Sequence, residues 1–404
     1  MSLNRISMCV AFGILLLLLA TPGFAQGLAG MQIFAPADNS TFGGMPELNE
    51  GYFFQYDVLY WNFSKPDTTT IGKEGATRTV WMGTSSLLSR TESNTLTTAG
   101  LTSQDRLGSR FEFGRIEDRN GWMCTIFQPR NLDQYLKYNS AEVVFYDPVF
   151  GNNQHYLEGP VGSDTSGTAV IKELPVMFYN LQLKQRSKSW GVELMYMHRT
   201  YTYHNGSTLE FYGGAHYFDF EDFFGVTTGT NAPSGSTIPS FLGGSSWGNE
   251  AKNHVIGPEF GVRWSKKQGR WTLNAEGRFT AGFNNQDITE TVDFGPKLNP
   301  GSSTNHATTW QPLTLGHTYS TYEEYACEWS PMVELRLEAR YQITKSFSAQ
   351  VGWSGFWIDG IARGADMIDY TVNGNTEKIM GINMANNRQS LIANGVTFGV
   401  EFNR

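Results

Sequence analysis

Ten consecutive residues sort by parity without an exception: Val333, Leu335, Leu337, Ala339 and Tyr341 alternate with Glu334, Arg336, Glu338, Arg340 and Gln342. A period of two places one apolar and one charged face on a β-strand, whereas a helix would scatter the same residues around its axis. The split recurs. Trp271, Leu273, Ala275, Gly277, Phe279, Ala281 and Phe283 oppose Thr272, Asn274, Glu276, Arg278, Thr280 and Gly282. The same parity orders Tyr52 to Tyr60, Leu209 to His216, Glu259 to Trp264 and Gly395 to Phe402. Aromatic residues at 14%, charged residues at only 17% and 44 glycines in 404 residues exclude disorder, coiled coil and helix bundle. After position 25 no apolar run approaches the roughly 18 residues of a spanning helix, so a polytopic helical membrane protein is excluded as well.

Alternation also fits a soluble sandwich with one wet face, and three further signs favour a transmembrane barrel. Several runs reach 10 to 13 residues, the length that crosses a bilayer at a tilt. Aromatic rings gather beside short polar links: Trp264 and Trp271 around KKQG, Tyr341 and Phe347 around ITKS, Trp122 after DRNG, Trp190 after RSKS. Such rings prefer the headgroup level, and these six residues are the candidate aromatic girdle. Tight links at 118–121, 186–189, 204–207, 265–269 and 343–346 contrast with long polar stretches at 63–106, 129–173, 222–252, 284–322 and 360–390. Long outer loops and short periplasmic turns are the barrel pattern. With an extra strand placed in 140–150 to restore parity, the spacing predicts an all-β, antiparallel transmembrane β-barrel of about twelve strands, ten and fourteen being the alternatives. The strands fall at 52–62, 107–117, 121–128, 140–150, 174–185, 189–202, 207–220, 253–264, 270–283, 332–342, 346–358 and 391–402. Pro258 and Pro331, which cannot donate to a ladder, are expected at a rim or a bulge.

Residues 1–25 read as a secretory signal peptide: Arg5, then the apolar run Ala11 to Ala20, then small residues before Gln26. Residues 26–50 read as a periplasmic leader or linker, and 51–404 as the barrel. Without 1–25 the chain keeps 29 of its 30 Lys+Arg against 38 Asp+Glu, a net charge of -9, which argues against a nucleic-acid partner. Cys124 and Cys327 lie too far apart, and without any CxxC, to form a disulfide scaffold; they read as two small apolar side chains or as one bridge.

The segments GYFFQYDVLYW (51–61), RLGSRFEFGRIEDRNGWMCTIF (106–127), FYGGAHYFDFEDFF (211–224), GPEFGVRWSKKQGRWTLNAEGRFTAGF (257–283) and VELRLEARYQITKSFSAQVGWSGFWIDGIARGADMID (333–369), in this order and spacing, resemble the putative beta-barrel porin family, type seven, of planctomycete-type bacteria. The resemblance covers most of 51–402 and implies an outer-membrane, porin-like protein without catalytic residues. Two positions depart from the family's pattern. Gly214-Ala215-His216-Tyr217 stands where Gly-x-Arg-Tyr is usual, replacing one implied lumen arginine, and Arg363-Gly364-Ala365 stands for Arg-Pro-Gly.

The polar strand faces supply the candidate lumen residues: Asp57, Glu112, Glu193, Arg199, Glu210, Glu259, Arg263, Glu276, Arg278, Glu334, Arg336, Glu338, Arg340 and Glu401, with Arg110 among them. Interleaved guanidinium and carboxylate groups can line a polar channel or fill a narrow barrel, and the sequence leaves both open. The expected function is a passive or gated channel for small hydrophilic solutes or ions in the bacterial outer membrane. The alternative is a closed barrel serving as anchor or adhesion scaffold through its long loops. Expected partners are outer-membrane lipid, the solutes and the outer-membrane assembly machinery; oligomeric state is open. No enzyme, cofactor or metal is expected. His198, on a lipid-facing parity, lacks a visible serine partner, and Asp219, Glu221 and Asp222 lack calcium-loop spacing and read as a solvated strand end.

Overall fold

The structure is a computed structural model. It describes residues 51–72, 78–82, 86–90, 97–139, 144–147, 152–155, 161–162, 180–203, 205–229, 243–294, 317–372 and 379–403. The expected signal peptide and leader lie outside these residues. Eleven strands form the main sheet: β1 Gly51–Phe63, β2 Gln104–Glu117, β3 Asn120–Pro129, β4 Leu132–Asn139, β5 Asn180–Arg199, β6 Ser207–Thr228, β7 Ser246–Gln268, β8 Trp271–Asp293, β9 Tyr319–Gln342, β10 Phe347–Ile361 and β11 Gln389–Asn403. No described helix is long and apolar enough to cross a membrane.

Ten of the strands close a ring. Each pairs antiparallel with the next along β5, β6, β7, β8, β9, β10, β11 and β1, and the circle returns through β2 and β3 to β5. The seam pairs the chain's first and last strands from Phe53↔Asn403 to Phe63↔Ala393. β4 is the extra strand. Pro129 ends β3, because proline offers no N–H to the ladder, and after two residues β4 resumes alongside β5. β3 therefore pairs with Gly191 to His198 and β4 with Asn180 to Ser187.

The expected twelve strands are thus corrected to ten plus one. The strands placed at 174–185 and 189–202 are one strand, β5, and RSKS at 186–189 is its middle rather than a turn. The strand placed in 140–150 is not in the barrel: among the described residues there, 144–147 pair with 152–155 as a separate hairpin. The parity conflict that called for that strand disappears with the false turn. All remaining tight links, at 118–119, 200–206, 269–270 and 343–346, lie at one end of the barrel, and the long links lie at the other. Two of the turns have only two residues, and Asp118 (φ 51°) and Gly269 (φ 61°) supply the left-handed backbone that such reversals need.

The reason for the false turn is an inversion of pattern. On β8 the outward residues are apolar from Trp271 to Phe283, and the inward ones are polar. Beyond Phe283 the outward face becomes Asn285, Asp287, Thr289, Thr291 and Asp293, while Ile288 and Val292 turn inward and are buried. β5, β6 and β7 invert at the matching level. Lys184, Arg186 and Lys188, Glu221, and Glu250, Lys252 and His254 point outward, opposite buried Leu183, Phe220 and Val255. Arg186 and Lys188 pair outside the wall with Glu250 on β7, one strand beyond, and Glu221 on the neighbouring β6. An abrupt run of polar residues therefore marks where β5 leaves the apolar band. Pro258 and Pro331 also differ from expectation. Both sit within long strands at mid-height, Pro258 where the ladder to β8 lapses and Pro331 beside the end of the pairing between β9 and β10.

Candidate functional site

Three layers occupy the bore, stacked from the turn end to the loop end. The first is charged. Asp57, Glu112, Glu193, Arg199, Glu210, Glu259, Glu276, Arg278, Glu334, Arg336 and Glu401 are buried inside the wall, and the Arg263, Glu338 and Arg340 side chains are only 14%, 8% and 15% exposed. With Arg110 included, nine carboxylates meet six guanidinium groups. Register creates the first contacts: Asp57↔Arg110, Arg263↔Glu276, Glu276↔Arg336 and Arg278↔Glu334 stand opposite on neighbouring strands. Length creates the rest. Arg336 on β9 bonds Glu334 on its own strand at 2.6 Å and reaches Glu112 on β2 at 3.4 Å and Glu193 on β5 at 3.5 Å. Arg278 pairs with Glu193 and Glu276, Arg340 with Glu401, and Arg263 with Glu276. Arg110 holds Asp57 at 2.8 Å and Glu338 at 3.2 Å, while Arg199 holds Glu210 at 2.6 Å. A bare backbone makes room for this density: a Cβ on Gly261 would stand 3.1 Å from Arg278 Cγ.

Below this layer a polar cavity of about 140 Å³ opens at the turn end, lined among others by Glu112, Glu210, Arg263, Arg340 and Glu401. Above it lies an apolar layer of Leu59, Trp61, Phe63, Phe127, Phe218, Phe220, Phe356 and Ile358. Trp61 and Phe356 meet edge-on at 5.5 Å, Phe127 stacks on Phe218 at 6.0 Å, and Trp61 Nε1 donates to Ser354 Oγ at 3.0 Å. Aromatic area of this kind packs much of the bore at this level, with the buried Arg106 guanidinium set against Phe63 at 4.2 Å and bonded to Ser187 at 2.8 Å.

The third layer is the link after β10, which turns into the loop end of the barrel. Gly360 (φ 70°) makes the bend, and its carbonyl accepts from Asn284 Nδ2, Gln286 Nε2 and Ser330 Oγ at 2.9, 3.0 and 2.9 Å. Asn253 grips the next peptides from both sides, accepting from Ala362 N at 2.8 Å and donating to Ala362 O at 2.9 Å. Asp222 accepts from Gly364 N at 3.2 Å and lies 3.7 Å from Arg363 Nε. Burial pulls the Arg363 guanidinium below its ordinary pKa, and Asp222 opposes the shift. Ala365, Ile368, Ile379 and Met380 then pack on Phe224, Trp247 and Val292.

Sequence reasoning missed Asn253, Asn284, Gln286 and this inward link. Inward parity covers Asn253 at the very end of the strand assigned to 253–264 and, continued past 283, reaches Asn284 and Gln286. The girdle candidates divide. Trp122, Trp264, Trp271, Tyr341 and Phe347 point outward near the turn end, where Trp271 and Tyr341 lie 5.0 Å apart. Trp190 does not belong with them, because no turn precedes it. It sits at the level of the inversion beside Tyr217 at 5.3 Å, and Phe283 and Trp329 meet at the same height at 5.2 Å. There are two aromatic belts. His198 bonds Asn120 Oδ1 at 2.8 Å. Asp219 and Glu221 face outward and Asp222 inward, so those three acids do not converge. Cys124 on β3 and Cys327 on β9 are both free.

A closed antiparallel barrel with a charged bore and an apolar outer band defines the class of this protein. The chain belongs to the family described as putative beta barrel porin-7, whose model matches residues 76–403. No curated protein matches in sequence. Similar solved structures include the outer membrane protease OmpT from Escherichia coli, at 10% identity and a TM-score of 0.44 over 89% of this chain and 100% of that one. A Pseudomonas aeruginosa FadL homologue matches at 10% identity and a TM-score of 0.23, over 92% and 95% of the two chains. The Ralstonia pickettii toluene transporter TbuX matches at 8% and 0.25, over 88% and 90%.

Proposed function

We propose that this protein is an outer-membrane barrel that rests closed and passes small hydrophilic solutes or ions when its inner layers part. The short turns face the periplasm and the long links face outward. From Trp271 to Phe283 the apolar face of β8 covers about 40 Å of strand, or about 28 Å of height at a tilt of about 45°, close to the roughly 25 Å lipid band of such barrels. The charge layer carries the reading: it lies inside that band and is continuous with the polar cavity. Ionisable groups at membrane depth are costly, apolar packing would fill the bore at least as stably, and such groups commonly mark solute and ion paths. The reading includes no catalytic step.

Planar-bilayer recording tests it. The refolded chain should be silent or open rarely, and replacing 363–386 by a short Gly/Ser link should raise open probability. A second reading, the closed barrel as anchor or scaffold for its long links, draws support from the aromatic layer, which packs the bore above the charge layer. Silence of the parent, of the shortened variant and of variants thinned at Phe356 would favour it.

A further inference from the structure

One carboxylate in the charge layer is poorly served by arginine. Glu259 on β7 is 1% exposed, yet its closest guanidinium, that of Arg278, is 3.9 Å away and is already engaged with Glu193 and Glu276. Its Oε2 is buried without a hydrogen-bond partner. The nearest basic atom to that oxygen is Nδ1 of His216 at 3.4 Å, and Nε2 of the same ring is likewise buried and unpartnered. Register adds a third group, for Glu193 on β5 stands directly opposite His216 on β6.

We infer that Glu193, His216 and Glu259 bind one divalent transition-metal ion of the Zn²⁺ or Mn²⁺ class. Each offers a ligand atom, and the three atoms lie within 4.8 Å of one another. Ligands bonded at about 2.0 to 2.2 Å sit roughly 3 to 3.5 Å apart, so side-chain adjustments of about 1 Å close the site. One imidazole with two carboxylates suits Zn²⁺, Mn²⁺ or Fe²⁺, whereas Mg²⁺ and Ca²⁺ favour oxygen donors alone. The ring offers two nitrogens, Nδ1, 3.4 Å from Glu259 Oε2 and 3.2 Å from Thr280 Oγ1, and Nε2, buried without a partner, so a metal takes one while contacts at the other keep the ring in place, as outer partners of metal-bound histidines do. Charge balance points the same way: nine carboxylates against six guanidinium groups leave three carboxylates in excess, and a dication offsets two of them. Glu193 is the weakest ligand, because Arg278 and Arg336 compete for it. The inference goes beyond conduction and holds for an open or a closed barrel.

The test uses the refolded full chain in detergent micelles, stripped with chelator, loaded with ZnCl₂ and dialysed. One Zn²⁺ per barrel should remain. His216→Gln and Glu259→Gln should each weaken binding by at least about tenfold, while His254→Gln, on the outer face, should leave it unchanged. X-ray absorption on the loaded unsubstituted protein should count one imidazole nitrogen among oxygen donors, a readout that does not require the variants to fold. No retained metal, or a spectrum with no imidazole or with several, overturns the site. Binding that both variants leave intact means an adventitious ion only. None of these readouts depends on conductance.

Discussion

Phe218 on β6 and Phe356 on β10 meet in the middle of the bore, ring centroids 5.7 Å apart and planes at 69°. Three strands of wall separate them on the shorter way round, so this is a contact between opposite sides of the barrel. Phe356→Ala removes it. The variant should lose about 3 to 5 kcal/mol of unfolding free energy and, where it folds, conduct more often than the parent. Denaturant titration in micelles and single-channel recording check the two halves, and unchanged conductance would place the closure in the other layers.

Leu337 faces outward within the apolar band and Asn285 outward above it. Leu337→Arg should cost on the order of 2 to 4 kcal/mol, the usual penalty near a bilayer midplane, whereas Asn285→Arg should change stability by about 0.5 kcal/mol or less. Equal tolerance of both substitutions in a lipid folding assay would remove the membrane reading.

The seam between β1 and β11 runs from Phe53↔Asn403 to Phe63↔Ala393. Truncation after Asn394 deletes most of one partner and opens an edge that lipid cannot satisfy. The truncated chain should give no heat-resistant folded band on a gel. Recovery of that band would show that the ring closes in another way.

Asp222 is the ionic partner of Arg363, and both are fully buried. Asp222→Asn strands a guanidinium inside the protein, and breaking a buried pair in this way costs about 3 to 5 kcal/mol. The loss should fall on the inward link. Protease cleavage within 362–388 should accelerate while the barrel keeps its β-sheet circular dichroism.

Glu334 and Glu338 flank Arg110 in the charge layer, at 3.8 and 3.2 Å. If the pore conducts, its excess of carboxylates favours cations weakly, since interleaved arginines cancel most of the field within a Debye length of about 10 Å at 0.1 M salt. Neutralising both residues to Gln should lower the cation-to-anion permeability ratio. An unshifted reversal potential would take these carboxylates off the conducting path.

Parity made much of this legible in the sequence. The alternation in Val333 to Gln342 assigned β9 its faces, and the same rule pointed Asp57, Glu193 and Glu276 inward before any coordinates. It failed where the surroundings change along a single strand. Above Phe283 the outside is polar and the inside mixes amides such as Asn284 and Gln286 with apolar Ile288 and Val292, so a search for apolar-out strands stops there and cuts β5 at Arg186. Contacts across the bore were beyond sequence altogether, because the reach of Arg336 to Glu112 depends on ring size and stagger rather than on spacing along the chain. Parity put His216 on a polar face, but nothing in the sequence joined it to Glu193 and Glu259, which come from two other strands.

The wall is of unequal height. β5 to β9 run 20 to 24 residues, whereas β1, β2, β10 and β11 stop at 13 to 15. The link from 362 to 388 leaves β10 and returns to β11, both on the low side, while Asn253, Asp222 and Gln286 grip it from the tall side. It is therefore rooted at the low rim and tied across the bore to the tall wall. If the barrel opens as proposed, the bonds to the tall wall are the ones that must break first, while the roots of the link at the low rim can stay in place.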